Sequence, residues 1–118
     1  MPKNILVIDD DVLVLKTVKK LLDREGYIVE TAKSATEAIE KLKDHVFNLI
    51  ISDVRMPVMD GIEFLERIKK ENKTPVIYIT GYASEEAPIR ALKLGAKDYV
   101  LKPFDIDKLL DSIKNNLS

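Results

Sequence analysis

Four apolar runs in this 118-residue chain end in side chains able to do polar chemistry. Asp9, Asp10 and Asp11 follow Ile5–Ile8, and Asp53 follows Phe47–Ser52. Thr80 closes the run from Val76, and Lys102-Pro103 follows Tyr99–Leu101. The set holds carboxylates, a hydroxyl and an amine, with neither His nor Cys among them. Two carboxylates about 4 Å apart repel by roughly 4 kcal/mol at an effective dielectric near 20. Several of them facing a single lysine therefore ask for a bound cation. All-oxygen donors select a hard ion, Mg²⁺ before others. Such an ion would offset the charge between the Asp53 carboxylate and an incoming phosphoryl group. Lys102 and the Thr80 hydroxyl would hold the remaining phosphoryl oxygens. A carboxylate that attacks phosphorus forms an acyl phosphate, so the chemistry in view is covalent phosphoryl transfer to Asp53.

For that chemistry the runs must be strands that end on one edge. Ile5–Ile8, Tyr27–Val29, Phe47–Ser52, Val76–Thr80 and Tyr99–Leu101 read as strands, and amphipathic stretches separate them. Val14, Val18, Leu21 and Leu22 share one helical face that ends near Gly26. Ser34 and Glu37 form a capping box before Ala35, Ala38, Ile39 and Leu42. Ile62–Lys70 points Ile62, Leu65 and Ile68 inward, and Ile89–Leu94 is helical and stopped by Gly95. Asp105 caps a last helix bearing Ile106, Leu109, Leu110, Ile113 and Leu117. Strands apolar on both faces and joined by helical crossovers predict an α/β fold. The expected form is a five-stranded doubly wound parallel sheet, order 2-1-3-4-5, a flavodoxin-like (βα)5 arrangement. Ligands in such sheets bind beyond the carboxyl ends of the strands, where the polar residues fall.

Composition narrows the classes. Hydrophobic residues are 46%, charged residues 33%, and the formal net charge is −1. Nothing here draws the chain to nucleic acid or to an anionic membrane. Cys is absent, which excludes disulfides and thiolate metal sites. No apolar run approaches the roughly 20 residues of a membrane helix, and the first ten residues are no signal peptide. The expectation is one cytoplasmic domain spanning residues 1–118.

The motifs Ile8-Asp-Asp-Asp11, Ser52-Asp-Val-Arg-Met-Pro57, Met59-Asp-Gly61, Ile79-Thr-Gly81, Gly95-Ala-Lys-Asp-Tyr99 and Leu101-Lys-Pro-Phe104 occur in order along the chain. With them the chain resembles the receiver domain of two-component response regulators over essentially its whole length. The resemblance implies that Asp53 is the phosphoacceptor and Asp10 the direct Mg²⁺ ligand, with Asp9 acting mainly through water. The backbone carbonyl of Arg55 would complete the protein's ligands. Thr80 and Tyr99 would form a switch pair, and a cis Lys102–Pro103 bond would aim Lys102 into the pocket. Gly81 would leave room for the phosphoryl group, and Arg55 and Tyr82 would tune its loss. The implied partners are a sensor histidine kinase or phosphotransfer protein and a downstream effector. Partners would read a face built from the fourth helix, fifth strand and fifth helix. The motif around Asp53 and Lys102-Pro-Phe-Asp-Ile-Asp107 is most similar to receivers of enhancer-binding transcription activators. Lys108 and Ser112 stand where winged-helix regulators carry an acid and an arginine for a dimer network.

Blander roles fit other residues. Asp11 reads as a helix cap, Asp60 and Gly61 as shapers of a loop and helix start, and Met56 and Met59 as packing. His45 reads as a surface residue away from the acidic edge, so a histidine phosphodonor must come from another molecule. Pro88 predicts a late-starting first turn for the fourth helix. A nucleotide-binding domain is disfavoured, because three aspartates replace the glycines that would cradle phosphate. A phosphatase of the haloacid-dehalogenase type is the rival enzyme reading; its nucleophile would be Asp9. A receiver-like module that no longer takes phosphate is the third, and the intact set of Asp53, Thr80 and Lys102 argues against it.

Overall fold

The computed structural model describes residues 2–80, 95–101 and 105–117, with Thr80 and Leu101 described through their backbone alone. Five parallel strands form one sheet in the order β2-β1-β3-β4-β5, as the alternation of apolar runs predicts. They are β1 (Asn4–Ile8), β2 (Ile28–Ala32), β3 (Leu49–Asp53), β4 (Val76–Thr80) and β5 (Asp98–Leu101). Helices α1 (Val12–Arg24), α2 (Ala35–Asp44) and α3 (Gly61–Ile68) and a C-terminal helix (Ile106–Leu117) are the described helices. The predicted helix Ile89–Leu94 and its early turn at Pro88 lie outside the described residues.

Alternation within the inner strands builds two cores, one on each side of the sheet. Leu6, Ile8, Ile50, Val76 and Tyr78 point to one side and pack with Ala35, Ala38, Phe64, Leu65 and Ile68 from α2 and α3. Ile5, Val7, Leu49, Ile51, Ile77 and Ile79 point to the other side and pack with Leu15, Val18 and Leu22 of α1 and Leu109 and Ile113 of the C-terminal helix. Both faces are covered, which is why these strands read as unbroken apolar runs.

Element boundaries depart from the sequence reading where pairing overrides residue type. Strand β2 covers Ile28–Ala32 rather than Tyr27–Val29, because Asn4 to Ile8 pair one by one with Ile28 to Ala32. Glu30 and Thr31 are polar, but they sit on a border strand and join the ladder anyway. Strand β3 runs to Asp53, which pairs with Ile79, and starts at Leu49 rather than Phe47. Helix α3 covers Gly61–Ile68 rather than Ile62–Lys70: Asp60 caps it, and the amides of Glu71 and Asn72 both turn back to the Ile68 carbonyl.

The helix starts were legible. Asp11 accepts from the Leu13 amide at 2.9 Å, and Ser34 accepts from the Glu37 amide at 3.1 Å. Glu37 reaches back as expected, but to the Lys33 amide at 3.2 Å, one residue before the cap. His45 is exposed at the end of α2, with its ring edge-on to Phe47.

Candidate functional site

The site begins where β1 stops. The Asp9 amide donates to the Ala32 carbonyl at 3.1 Å, so Asp9 extends the β1–β2 ladder by one residue and its backbone is fixed. Its Oδ1 accepts from the Asp11 amide at 2.9 Å, which folds the chain sharply into α1. Asp9 is fully buried by this turn, and Asp10, at its tip, is exposed.

Strand β3 brings the third carboxylate. Asp53 is its last residue and is mostly buried, at 8% exposure. Ser52 Oγ donates to the Asp53 carbonyl at 2.9 Å. One oxygen each from Asp9, Asp10 and Asp53 lies within 4.8 Å of the others. Two neighbouring strands in the sheet, far apart in sequence, thus gather three acids at the carboxyl edge. Acids at this spacing, two of the three buried, repel one another unless positive charge joins them. The donors are hard oxygens with no His or Cys, and the cluster suits an ion of the Mg²⁺ type.

Beyond Asp53 the chain alternates between core and solvent. Val54 and Met56 are buried in the core on the α2–α3 side, Met59 packs against it, and Arg55 is exposed between them. Val54, Arg55 and Met56, with Pro57, Asp60 and Ile62, border an open hollow beside Asp10. At Val58 φ is 70°, and the Met59 amide donates to the Pro57 carbonyl at 2.8 Å, closing a three-residue γ-turn. The loop is shut where the Gly61 amide donates to the Val54 carbonyl at 2.7 Å. A side chain at Gly61 would run into the Asp53 carbonyl oxygen and come within 2.8 Å of the Tyr78 ring. Glycine is required there by contact rather than by conformation.

Of the residues singled out in the sequence, the fold brings Asp9, Asp10 and Asp53 together and sets Arg55 beside the hollow. Thr80 ends β4, whose Ile79 is the register partner of Asp53. Tyr99 lies in β5 as the partner of Tyr78, with 38% of its surface exposed. Gly81, Tyr82, Lys102 and Pro103 lie outside the described residues. Ser112 Oγ donates to Asp98 Oδ2 at 2.6 Å, so this strand-five acid is engaged within the chain.

Tyr78 was missed by the sequence reading, which took Val76–Thr80 as a plain strand. It is fully buried, and its hydroxyl donates to the Gly61 carbonyl. A phenol inside a run apolar on both faces was the available signal, since a buried O–H needs a partner. Burial, helped by the Asp60 and Glu66 carboxylates, pushes this phenol well above the usual tyrosine range.

A doubly wound parallel sheet with three acids at its carboxyl edge marks the class of open α/β proteins, whose ligands bind beyond that edge. Within it this chain belongs to the response regulator receiver domain family, whose family model matches residues 5–114. It is similar to the transcriptional regulatory protein ZraR of Escherichia coli strain K12, 42% identical over 116 residues, covering 98% of this chain and 26% of that protein. It is also similar to the chemotaxis protein CheY of Bacillus subtilis, 33% identical over 120 residues and covering 100% of both. A crystal structure of a CheY-like receiver domain protein from Methanospirillum hungatei superposes with a TM-score of 0.92 at 40% identity, covering 99% of this chain and 94% of that one. The chain thus spans about a quarter of the length of the ZraR relatives. Among the described residues no helix is long and apolar enough to cross a membrane.

Proposed function

We propose that this chain is a phosphorylation switch in which Asp53 accepts a phosphoryl group from a phosphohistidine on a partner protein. The observation that carries this reading is the convergence of the Asp9, Asp10 and Asp53 carboxylates within 4.8 Å at the carboxyl edge of the sheet. Asp53, rather than Asp9, is the acceptor in this reading. Asp9 has no exposed surface and is committed to the Asp11 amide, whereas Asp53 keeps some access to solvent. A carboxylate oxygen of Asp53 forms the new bond to phosphorus. The phosphorus–nitrogen bond of the donor breaks, and the departing imidazole nitrogen takes up a proton.

Asp10 and Asp53, with the Arg55 carbonyl, would hold Mg²⁺ directly, and Asp9 would hold it through water. When bound, the ion supplies positive charge between the acceptor carboxylate and the phosphoryl oxygens. Thr80 and Lys102 would take the other phosphoryl oxygens, and Arg55 and Tyr82 would set how readily water removes the group. Phosphorylation then shifts the population between two packings of the region around Thr80 and Tyr99. A downstream effector domain or protein reads the change at the face that includes β5 and the C-terminal helix. In this reading residues 1–118 act as one cytoplasmic receiver domain, and the partner kinase or phosphotransfer protein provides the histidine.

The test is intact mass after incubation with acetyl phosphate and Mg²⁺, for the wild type and Asp53→Ala. A phosphate adduct that needs Mg²⁺ and is lost in Asp53→Ala is the expected outcome. An adduct that persists in Asp53→Ala moves the nucleophile elsewhere, with Asp9 and the phosphatase reading next. No adduct on the wild type, from acetyl phosphate or from a phosphorylated histidine kinase, overturns the acceptor role.

A further inference from the structure

The strand that ends in Thr80 carries a phenol whose only polar atom reaches out of the sheet to a helix. Tyr78 lies between Ile77 and Ile79 with no exposed surface. A buried hydroxyl costs free energy unless it is bonded, and an aliphatic residue or phenylalanine would fill the core without that demand. Its bond goes to the Gly61 carbonyl. Gly61 is the first residue of α3, and in regular helix geometry its carbonyl accepts from the amide four residues on. The helix therefore does not need the phenol to satisfy its backbone. What the bond adds is a tie between β4 and the start of α3.

Gly61 is also the residue that closes the loop after Asp53. Its amide holds the Val54 carbonyl at 2.7 Å, and its α-carbon packs so tightly on the Asp53 carbonyl that no side chain fits. The Asp53 carbonyl is braced as well by Ser52 Oγ at 2.9 Å. Between Val54 and Gly61 lies Arg55, on the rim of the hollow beside Asp10. A shift of Gly61 would therefore move both the acceptor's backbone and the loop that carries the Arg55 carbonyl. A phenol is protonated at physiological pH even in water, so this hydroxyl is a donor there.

We propose that Tyr78 is a positioning residue for the Mg²⁺ and phosphoryl site, acting through Gly61 to fix the Arg55 loop against Asp53. The role rests on the acceptor-site reading above and deepens it, because it assigns a part of the site's geometry to a residue in the core. Partners that orient metal ligands typically contribute tenfold or more to metal affinity, and a single neutral hydrogen bond somewhat less.

The test is Tyr78→Phe in the full 118-residue chain, which removes the hydroxyl and keeps the ring. Mg²⁺ affinity is measured by calorimetry, and acetyl phosphate uptake is followed across a Mg²⁺ series. The expected result is a Kd for Mg²⁺ roughly three- to tenfold weaker. Uptake should be slowed at low Mg²⁺ and return to the wild-type rate at saturation. Ile77→Val serves as a control that loosens the same strand without touching Gly61, and its Mg²⁺ affinity should stay at the wild-type value. In the wild type the Gly61 amide and the Tyr78 ring should shift in NMR spectra with the same Mg²⁺ midpoint, a reading that does not depend on any variant folding. Wild-type affinity that Tyr78→Phe leaves within about twofold, below what one hydrogen bond contributes, overturns the positioning role alone. So does an equal loss in Ile77→Val, or a Gly61 amide blind to Mg²⁺. A wild-type chain that binds no Mg²⁺ overturns the acceptor-site reading and this role together.

Discussion

At Val58 the backbone takes a φ of 70° while the side chain is 100% exposed. Left-handed backbone disfavours a β-branched residue, and strain of this kind costs on the order of 1–3 kcal/mol. No packing offsets it, because the side chain is in solvent. Asparagine tolerates this conformation, so Val58→Asn is expected to stabilise the chain by about 1 kcal/mol. That corresponds to a rise in Tm of roughly 4 °C for a domain of this size, read by thermal denaturation. An unchanged or lower Tm would mean that the turn is not strained. The sequence could not show this. Pro57-Val-Met59 reads as ordinary loop, and Val58 takes its positive φ between Met56, buried in the core, and Met59, packed against it. Asp9, Asp10 and Asp53 were legible by contrast, because acids that end apolar runs stand out whatever the loop geometry.

The elements follow local signals at their starts and tertiary pairing at their ends. Asp11, Ser34 and Asp60 each accept from a first-turn amide, and each is a residue type that competes well for that bond. Ser34→Ala removes one such acceptor from α2 and is expected to cost about 1 kcal/mol, seen as a lower urea midpoint with an unchanged m-value. A change in m instead would mean that the substitution alters the compactness of the denatured or native state, or breaks two-state unfolding, rather than simply removing a cap. Strand ends behave differently. Glu30 and Thr31 have no apolar signature, yet they complete β2 because β1 offers five residues of ladder. Lys69 and Lys70 have good helical propensity, yet α3 stops before them, where the Glu71 and Asn72 amides both turn back to the Ile68 carbonyl.

For the molecule as a whole, Tyr78 makes stability depend on alkaline pH. Its folded-state pKa is raised above that of the unfolded chain, mainly by burial and then by Asp60 and Glu66. The unfolded state therefore releases this proton first, near pH 10. The contribution is fully present below that pH and is lost as pH rises above it, by up to about 1.4 kcal/mol per pH unit. Other groups titrate in the same range, so the comparison is with Tyr78→Phe. The wild type should lose stability more steeply between pH 10 and 11 in urea titrations, and parallel curves for the two proteins would refute the assignment.

Alternating apolar runs and amphipathic helices narrowed the sheet to a few arrangements, because parallel strands need right-handed crossovers, and the commonest of these, 2-1-3-4-5, is the one the chain adopts. They also determined that the polar residues after those runs share one edge, since every parallel strand ends on the same side. Residue type alone named Asp53 and its acidic neighbours as candidates for metal and phosphoryl chemistry. Tertiary structure decided the rest. The turn that buries Asp9 and exposes Asp10, the contact that makes glycine obligatory at position 61, and the reach of the Tyr78 hydroxyl to α3 each depend on distances between segments far apart in the chain. Periodicity carries no record of such distances, because it reports which face a residue occupies and not what the fold places opposite it.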